Sequence, residues 1–239
     1  MYPAFLVPPP TPLSFSDQFA FRPSGSTTAA LITILHTVTG LLATNQFVII
    51  IDFEFSKAYD TVRHSTLLNK YFQLYPGPYN WLVEYFCGRM HCTKYGLTSA
   101  MLEISASIIQ GSAIGPASFV VAAADLCCVT LGNNLCKYAD NTRIIIPASN
   151  VHSRAAEINN VEAWARINNL HLNCTKCAEI IFTSSRRARS AASLPPTLPD
   201  IARVSSLKIL GVCHHLQQTF CQRPRAQNVV ASSADSACS

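Results

Sequence analysis

The chain has 239 residues, 49% of them apolar and 13% charged, and carries a net charge of +5. That length suits one large domain or two small ones, and the apolar fraction can supply a core, which excludes a largely disordered, collagen-like or coiled-coil chain. The charged fraction is about half of the roughly 25% usual in soluble domains, and the excess of 18 Lys and Arg over 13 Asp and Glu permits an anionic partner without demanding one.

Ten cysteines fall below the density of a disulfide scaffold. The initial Met leads into a Pro-rich stretch rather than a basic region followed by an apolar one, so reduced thiols and an intracellular location, nuclear or cytoplasmic and not secreted, are expected. Two uncharged stretches, 23–51 and 104–124, are broken by His36, Asn45, Gln46, Gln110, Gly111 and Pro116, so no membrane helix and no membrane partner are expected.

In chain order, MYPAFLVPPPTP reads as an extended arm, because its prolines cannot donate to a backbone ladder. Ser26 or Thr27 can cap a helix in which Leu31, Ile34, Leu35 and Val38 recur at helical spacing. Phe47 to Ile51 is a short, β-branched apolar run and predicts a buried strand. Helical spacing returns over 61–74 and over 80–87, the second ended by Gly88. Pro116 fits the first turn of another helix, expected to run through FVVAAADLCCV.

Two apolar runs flank Asp140-Asn141, which predicts a hairpin with that pair at its tip. An amphipathic helix follows over 152–169, then strands at AEIIF and LKILGV. The basic and Pro-rich stretch from Ser184 reads as a connector, and apolar periodicity ends near His214. This mixed order predicts an α+β fold, an antiparallel sheet with helices on one face.

The strand ending near Asp52 and Glu54 and the turn at Asp140 both bring carboxylates to sheet ends, which could place them on one site for a hard divalent cation. On spacing alone they read as ordinary turn and strand-end acids. Cys174 and Cys177 form a C-x-x-C pair, and Cys213, His214, His215 and Cys221 could complete a zinc site. The halves lie about 35 residues apart, looser than in zinc fingers, so isolated thiols and no stable zinc site are expected.

The blocks FRPSGSTTAAL, EFSKAYDTVRHSTLL, IIQGSAIGPASF, YADN, LNCTK and LKILGV, in that order, resemble the reverse transcriptase domain of non-LTR retrotransposons of the jockey-like kind. The resemblance runs from about Ser16 to Val212. It implies a polymerase palm with partial fingers and no thumb, an RNA template, a DNA primer and deoxynucleoside triphosphates as partners, and two Mg²⁺ (or Mn²⁺) ions. The boundaries it implies are an arm over 1–15, partial fingers over 16–46, a palm with inserted fingers elements over 47–183, a connector over 184–200, a last palm strand over 201–213 and a disordered tail over 214–239.

Residue by residue, the first metal ligand falls on Glu54, where the family has Asp, and the second block gives Asp140 followed by Asn141, where the family has a second Asp. Glu54 and Asp140 are thus the implied metal ligands. Tyr59 matches the aromatic that selects the sugar, and Gln110 and Gly111 match a block that contacts the nascent pair and template. Lys176 matches a lysine that assists the leaving pyrophosphate, and Arg22 matches a fingers residue that reaches the triphosphate. Lengthening one acid by a methylene and neutralising another predicts an impaired enzyme, because catalysis by positioning loses about 10²-fold for a 1 Å misplacement. The alternative is an inactive transposon remnant or a non-enzymatic nucleic-acid-binding module.

Overall fold

The computed structural model describes residues 15–22, 25–74, 79–109, 111–183 and 194–215. Most of the Pro-rich arm (1–14), the basic part of the connector (184–193), the tail from 216 and Gln110 lie outside these residues.

Ser26 Oγ accepts the Ala29 N–H at 3.0 Å and opens α1 (Thr27–Thr44). By length and apolar composition alone this helix could cross a membrane. Its stripe of Ala30, Ile34 and Val38 is instead buried against the sheet that follows. Next come β1 (Phe47–Phe53), β2 (Phe55–Ser56) and three helices, α2 (Ala58–Thr61), α3 (His64–Leu74) and α4 (Tyr79–Phe86). Four short, exposed strands then pair in two nested sets, β3 (Met90–His91) with β6 (Leu102–Glu103) around β4 (Lys94–Tyr95) with β5 (Leu97–Thr98).

Pro116 lies in the first turn of α5 (Gly115–Ala122), as its missing N–H allows. The helix expected to continue through Val129 stops at Ala122. Two lysines hold the chain there: Lys70 Nζ donates to the Ala122 carbonyl, and Lys137 Nζ donates to those of Ala123 and Leu126 at 2.9 and 3.0 Å. Ammonium groups satisfying the last carbonyls are a favourable helix end.

The hairpin β7 (Asn134–Tyr138) and β8 (Asn141–Pro147) follows, then a 3₁₀ turn (Ala148–Ser153) and α6 (Arg154–Ile167). The last elements are β9 (His171–Leu172), β10 (Ala178–Thr183), β11 (Ala202–Arg203), β12 (Ser206–Ile209) and β13 (Val212–His215). The stretch LKILGV, expected as one palm strand, folds as the β12–β13 hairpin outside the main sheet, and His214 and His215, expected in the tail, belong to β13.

The main sheet has the order β11-β10-β1-β8-β7, antiparallel except for the two-residue β10–β11 pair. The α+β palm-like fold is as the sequence indicates, with one correction. Helices do not sit on one face alone. Ile49, Ile51 and Phe53 point into a large core with α3 to α6, whereas Val48 and Ile50 join α1 on the other face. A strand apolar at every position from 47 to 51 requires both faces covered, which is why α1 packs there.

Four ion pairs, centred on the carboxylates of Glu179, Asp17 and Asp52, tie this sheet together. Glu179 on β10, fully buried, is gripped by Arg154 from α6 at 2.7 Å and by Arg203 from β11 at 2.6 Å. Lys137 on β7 meets Asp17 at 3.0 Å. Asp52 on β1 faces Arg143 on β8 in direct register, with Oδ1 and Nε 2.8 Å apart. That last contact is close but too bent to be a hydrogen bond, and Arg143 Nη1 likewise has no aligned acceptor among the described residues.

Burial raises the Asp52 pKa from 3.8 to about 6, the Arg143 guanidinium opposing and the Glu54 charge adding to the rise. The folded protein therefore holds this proton more tightly than the unfolded chain. The resulting stabilisation is complete below pH 3.8 and is lost as pH rises through about 6, an effect on the order of 3 kcal/mol. In EDTA-treated buffer, urea titrations between pH 4 and 7 should show stability falling with a one-proton component that disappears in Asp52→Asn; an identical pH slope in the two proteins would assign that proton elsewhere.

Candidate active site

The β7–β8 turn is tighter than the sequence suggests. Tyr138 pairs with Asn141, so the two loop residues are Ala139 and Asp140, and Asn141 is already the first residue of β8. The left-handed conformation falls on Ala139, with φ of 55°, and not on the Asp-Asn pair that tolerates it best. For a residue with a Cβ this costs about 1–2 kcal/mol, which the surroundings must overcome.

Glu54 follows β1 directly, and its backbone carbonyl accepts the Asn173 N–H at 2.8 Å, which fixes the 173–177 turn beside it. Burial raises the Asp140 pKa above its ordinary value, and Glu54 is the neighbouring charge that adds to the rise. Phe53 pairs with Thr142 and Tyr138 with Asn141, so Glu54 and the turn that holds Asp140 lie at the same end of the sheet. Glu54 is partly relieved by Lys176, whose Nζ lies 2.7 Å from Oε1. With Lys176 60% and Glu54 43% exposed, this pair contributes about 0.2–1 kcal/mol and breaks readily.

Tyr59, on α2, stacks on Phe119 of α5 with ring centroids 4.5 Å apart. Burial pushes its hydroxyl pKa well up, and the Asp140 charge pushes the same way, so the ring stands near the turn. Gly111 lies before α5 with φ of 80° and open space where a Cβ would be. Its backbone angle, rather than a close approach within the chain, accounts for glycine. Gln110 is outside the described residues. Arg22 does not stand free: Nη1 donates to the carbonyls of Phe15 and, at 3.2 Å, Gln18, closing its own loop. Asp125, read as structural, accepts from Lys70 Nζ at 2.7 Å and from Trp164 Nε1 at 2.8 Å.

The structure therefore brings Glu54, Asp140, Asn141, Tyr59 and Lys176 to one place and leaves Arg22 engaged elsewhere. Among the described residues no three His, Cys, Asp or Glu side chains form a ready metal cage, and of the cysteines weighed as zinc ligands Cys177 is buried while Cys174 and Cys213 are exposed. Two carboxylates with an adjoining amide oxygen nevertheless match what Mg²⁺ ordinarily takes from a protein, one or two carboxylates with the rest from water and substrate phosphates. Sequence reading passed over Arg143, Lys137 and Gln18. The signal available for the first two was a cation inside an apolar strand, as in Cys136-Lys137 and Thr142-Arg143-Ile144, a placement tolerated only when the charge is paired.

Residues 6–214 match the family described as "Reverse transcriptase (RNA-dependent DNA polymerase)". Two curated Drosophila melanogaster proteins, an RNA-directed DNA polymerase from mobile element jockey and a probable one from transposon X-element, are each 24% identical over 216 residues, or 85% of this chain. The chain spans about a quarter of their length, 23%. Among solved structures, telomerase from Candida tropicalis bound to a fragment of telomeric RNA superposes with a TM-score of 0.58 at 12% identity, over 85% of this chain and 34% of that one. The apo form of the same enzyme gives 0.58 at 11% identity, over 84% and 36%. At such identity the likeness speaks for the fold alone. The family match across most of its length establishes that the chain belongs to the reverse transcriptase family.

Proposed function

We propose that this chain is the palm and adjoining part of an RNA-directed DNA polymerase that joins deoxynucleotides to a primer 3′-hydroxyl on an RNA template. The observation that carries the reading is the strand register that sets Glu54 and the Asp140 turn at one end of the sheet, with Lys176 Nζ 2.7 Å from Glu54; the Asp140 charge also acts on Tyr59. Glu54 and Asp140 would hold divalent metal, with the Asn141 amide oxygen as a weaker, uncharged donor. A bound Mg²⁺ or Mn²⁺ supplies Lewis-acid polarisation of a phosphoryl oxygen and lowers the pKa of an attacking hydroxyl.

The chain's own groups do the rest. The Tyr59 ring, wedged on Phe119, presents a flat apolar wall at the sugar and excludes a 2′-hydroxyl. Lys176 Nζ, free to leave Glu54 because the pair is exposed, donates a proton to, or neutralises, the departing pyrophosphate. Glu54 carries its oxygens one methylene farther from the strand than an aspartate would, and Asn141 places no charge beside the site, so this copy works slowly or not at all. Those same two residues favour the second reading, a palm that grips nucleic acid without extending a primer.

Primer extension on an RNA template with Mn²⁺ separates the two. The Glu54→Asp, Asn141→Asp double variant is expected to extend at least about 10²-fold faster than the chain itself. Equal rates would show that the acid substitutions do not limit it, and silence from both, with folding verified by circular dichroism, would favour the binding module. Lys176→Met removes a cation that competes at Glu54, so Mn²⁺ affinity, read by electron paramagnetic resonance, is expected to rise about threefold. Unchanged or weaker affinity would remove Glu54 from the ligand set.

A further inference from the structure

Gln18 belongs to a segment far away in sequence from the acids, yet it touches the turn that carries one of them. The backbone of Asp17–Phe19 runs beside β7: Lys137 N–H donates to the Asp17 carbonyl at 2.6 Å, Phe19 N–H donates to the Lys137 carbonyl at 2.9 Å, and Gln18 and Lys137 form a parallel bridge. The Gln18 side chain, 2% exposed, continues this contact past the end of the strand. Its Oε1 accepts the Ala20 N–H at 3.0 Å and the Ala139 N–H at 3.2 Å.

Two N–H donors on one amide oxygen fix which way the amide faces, since the flipped amide would set its own N–H₂ against both. Ala139 is the left-handed residue of the two-residue turn, and it is buried. With Tyr138 and Asn141 paired across the hairpin, Gln18 is the acceptor that the Ala139 N–H finds. A glutamine that satisfies this N–H holds the left-handed residue that immediately precedes Asp140.

We propose that Gln18 is a positioning residue for the metal-binding turn, fixing Asp140 through the Ala139 N–H; this rests on the reading of Glu54 and Asp140 as metal ligands. Gln18 Nε2 is buried without a hydrogen-bond partner among the described residues. Only the acceptor half of the amide is used, so a side chain that keeps the oxygen should keep the function, and one of equal length without it should not.

The test uses the full chain and two readouts, amide hydrogen exchange at Ala139 and Mn²⁺ affinity by electron paramagnetic resonance. Gln18→Met is expected to speed Ala139 exchange by about tenfold or more and to weaken Mn²⁺ binding by about tenfold, the usual scale for losing a partner behind a metal ligand. Gln18→Glu, which retains an acceptor oxygen, is expected to restore Ala139 protection. Val161→Ala, which loosens the buried core at α6 and leaves the turn intact, is expected to lower thermal stability without moving either readout. Unchanged Ala139 exchange in Gln18→Met, or faster exchange with unchanged Mn²⁺ affinity, would overturn the proposal, as would equal loss of Mn²⁺ in Val161→Ala. Should the unmodified chain take up no Mn²⁺, the metal reading fails by itself. Exchange at Ala139 and the amide shifts of Asp140 and Asn141 in Gln18→Met then decide the positioning claim, movement supporting it and stasis refuting it.

Discussion

The antiparallel register between β1 and β8 is the constraint on which the rest of the molecule depends. Both strands are buried on both faces, so apolar contacts alone specify their alignment weakly: sliding one strand by a residue would exchange isoleucines for isoleucines. The buried charges remove that freedom. With Asp52 opposite Arg143, a slip would leave a guanidinium, 2% exposed, without its carboxylate, and an unpaired buried charge costs several kcal/mol. The pair gives little net stability, as the raised Asp52 pKa shows, but it singles out one alignment. Glu54 and Asp140 then arrive at the same end of the sheet because each lies just past that matched register.

The electrostatics of this end are those of acids partly balanced by the protein's own cations. Arg143 lies below, opposite Asp52; Lys176 reaches Glu54 from the turn before β10; Lys137 is spent on Asp17 and on two carbonyls after α5. Only the Lys176 contact is exposed, so it is the one that can exchange for another positive group at little cost. The buried cations are architectural, and the exposed one is the least firmly held of the three.

Much of this was readable in the sequence where physical signals are local. Caps, the first-turn proline, the continuous apolar run of β1 and the helical spacing of α3, α4 and α6 all lead to the elements found. The ordered blocks led to the family and to the acids at the sheet end. What escaped depends on distant partners. That α1 covers the second face of the sheet cannot be seen in α1 alone, whose apolar stripe does not say what it packs against. The end of α5 is set by Lys70 and Lys137, from α3 and β7. The turn places its left-handed residue at Ala139, against local preference, because pairing of Tyr138 with Asn141 and the Gln18 acceptor outweigh the propensity of Asp and Asn. Arg22, matched to a fingers residue that reaches the triphosphate, spends its Nη1 on the carbonyls of Phe15 and Gln18 in its own loop.

The two edges of the main sheet are finished in a way that bears on how the chain behaves at high concentration. An open edge strand offers unpaired backbone groups to any other strand, the usual route to fibrils and edge-to-edge dimers. Here β7 is overlaid by the Asp17–Phe19 segment, which takes up the N–H and carbonyl of Lys137. At the opposite side β11 is two residues long, and Arg203 in it is tethered through Glu179 and the carbonyls of Pro195 and Pro196. A loop laid against Lys137 on one side and a two-residue, charge-anchored stub on the other leave a neighbouring chain less of the central sheet to pair with than two bare edge strands would.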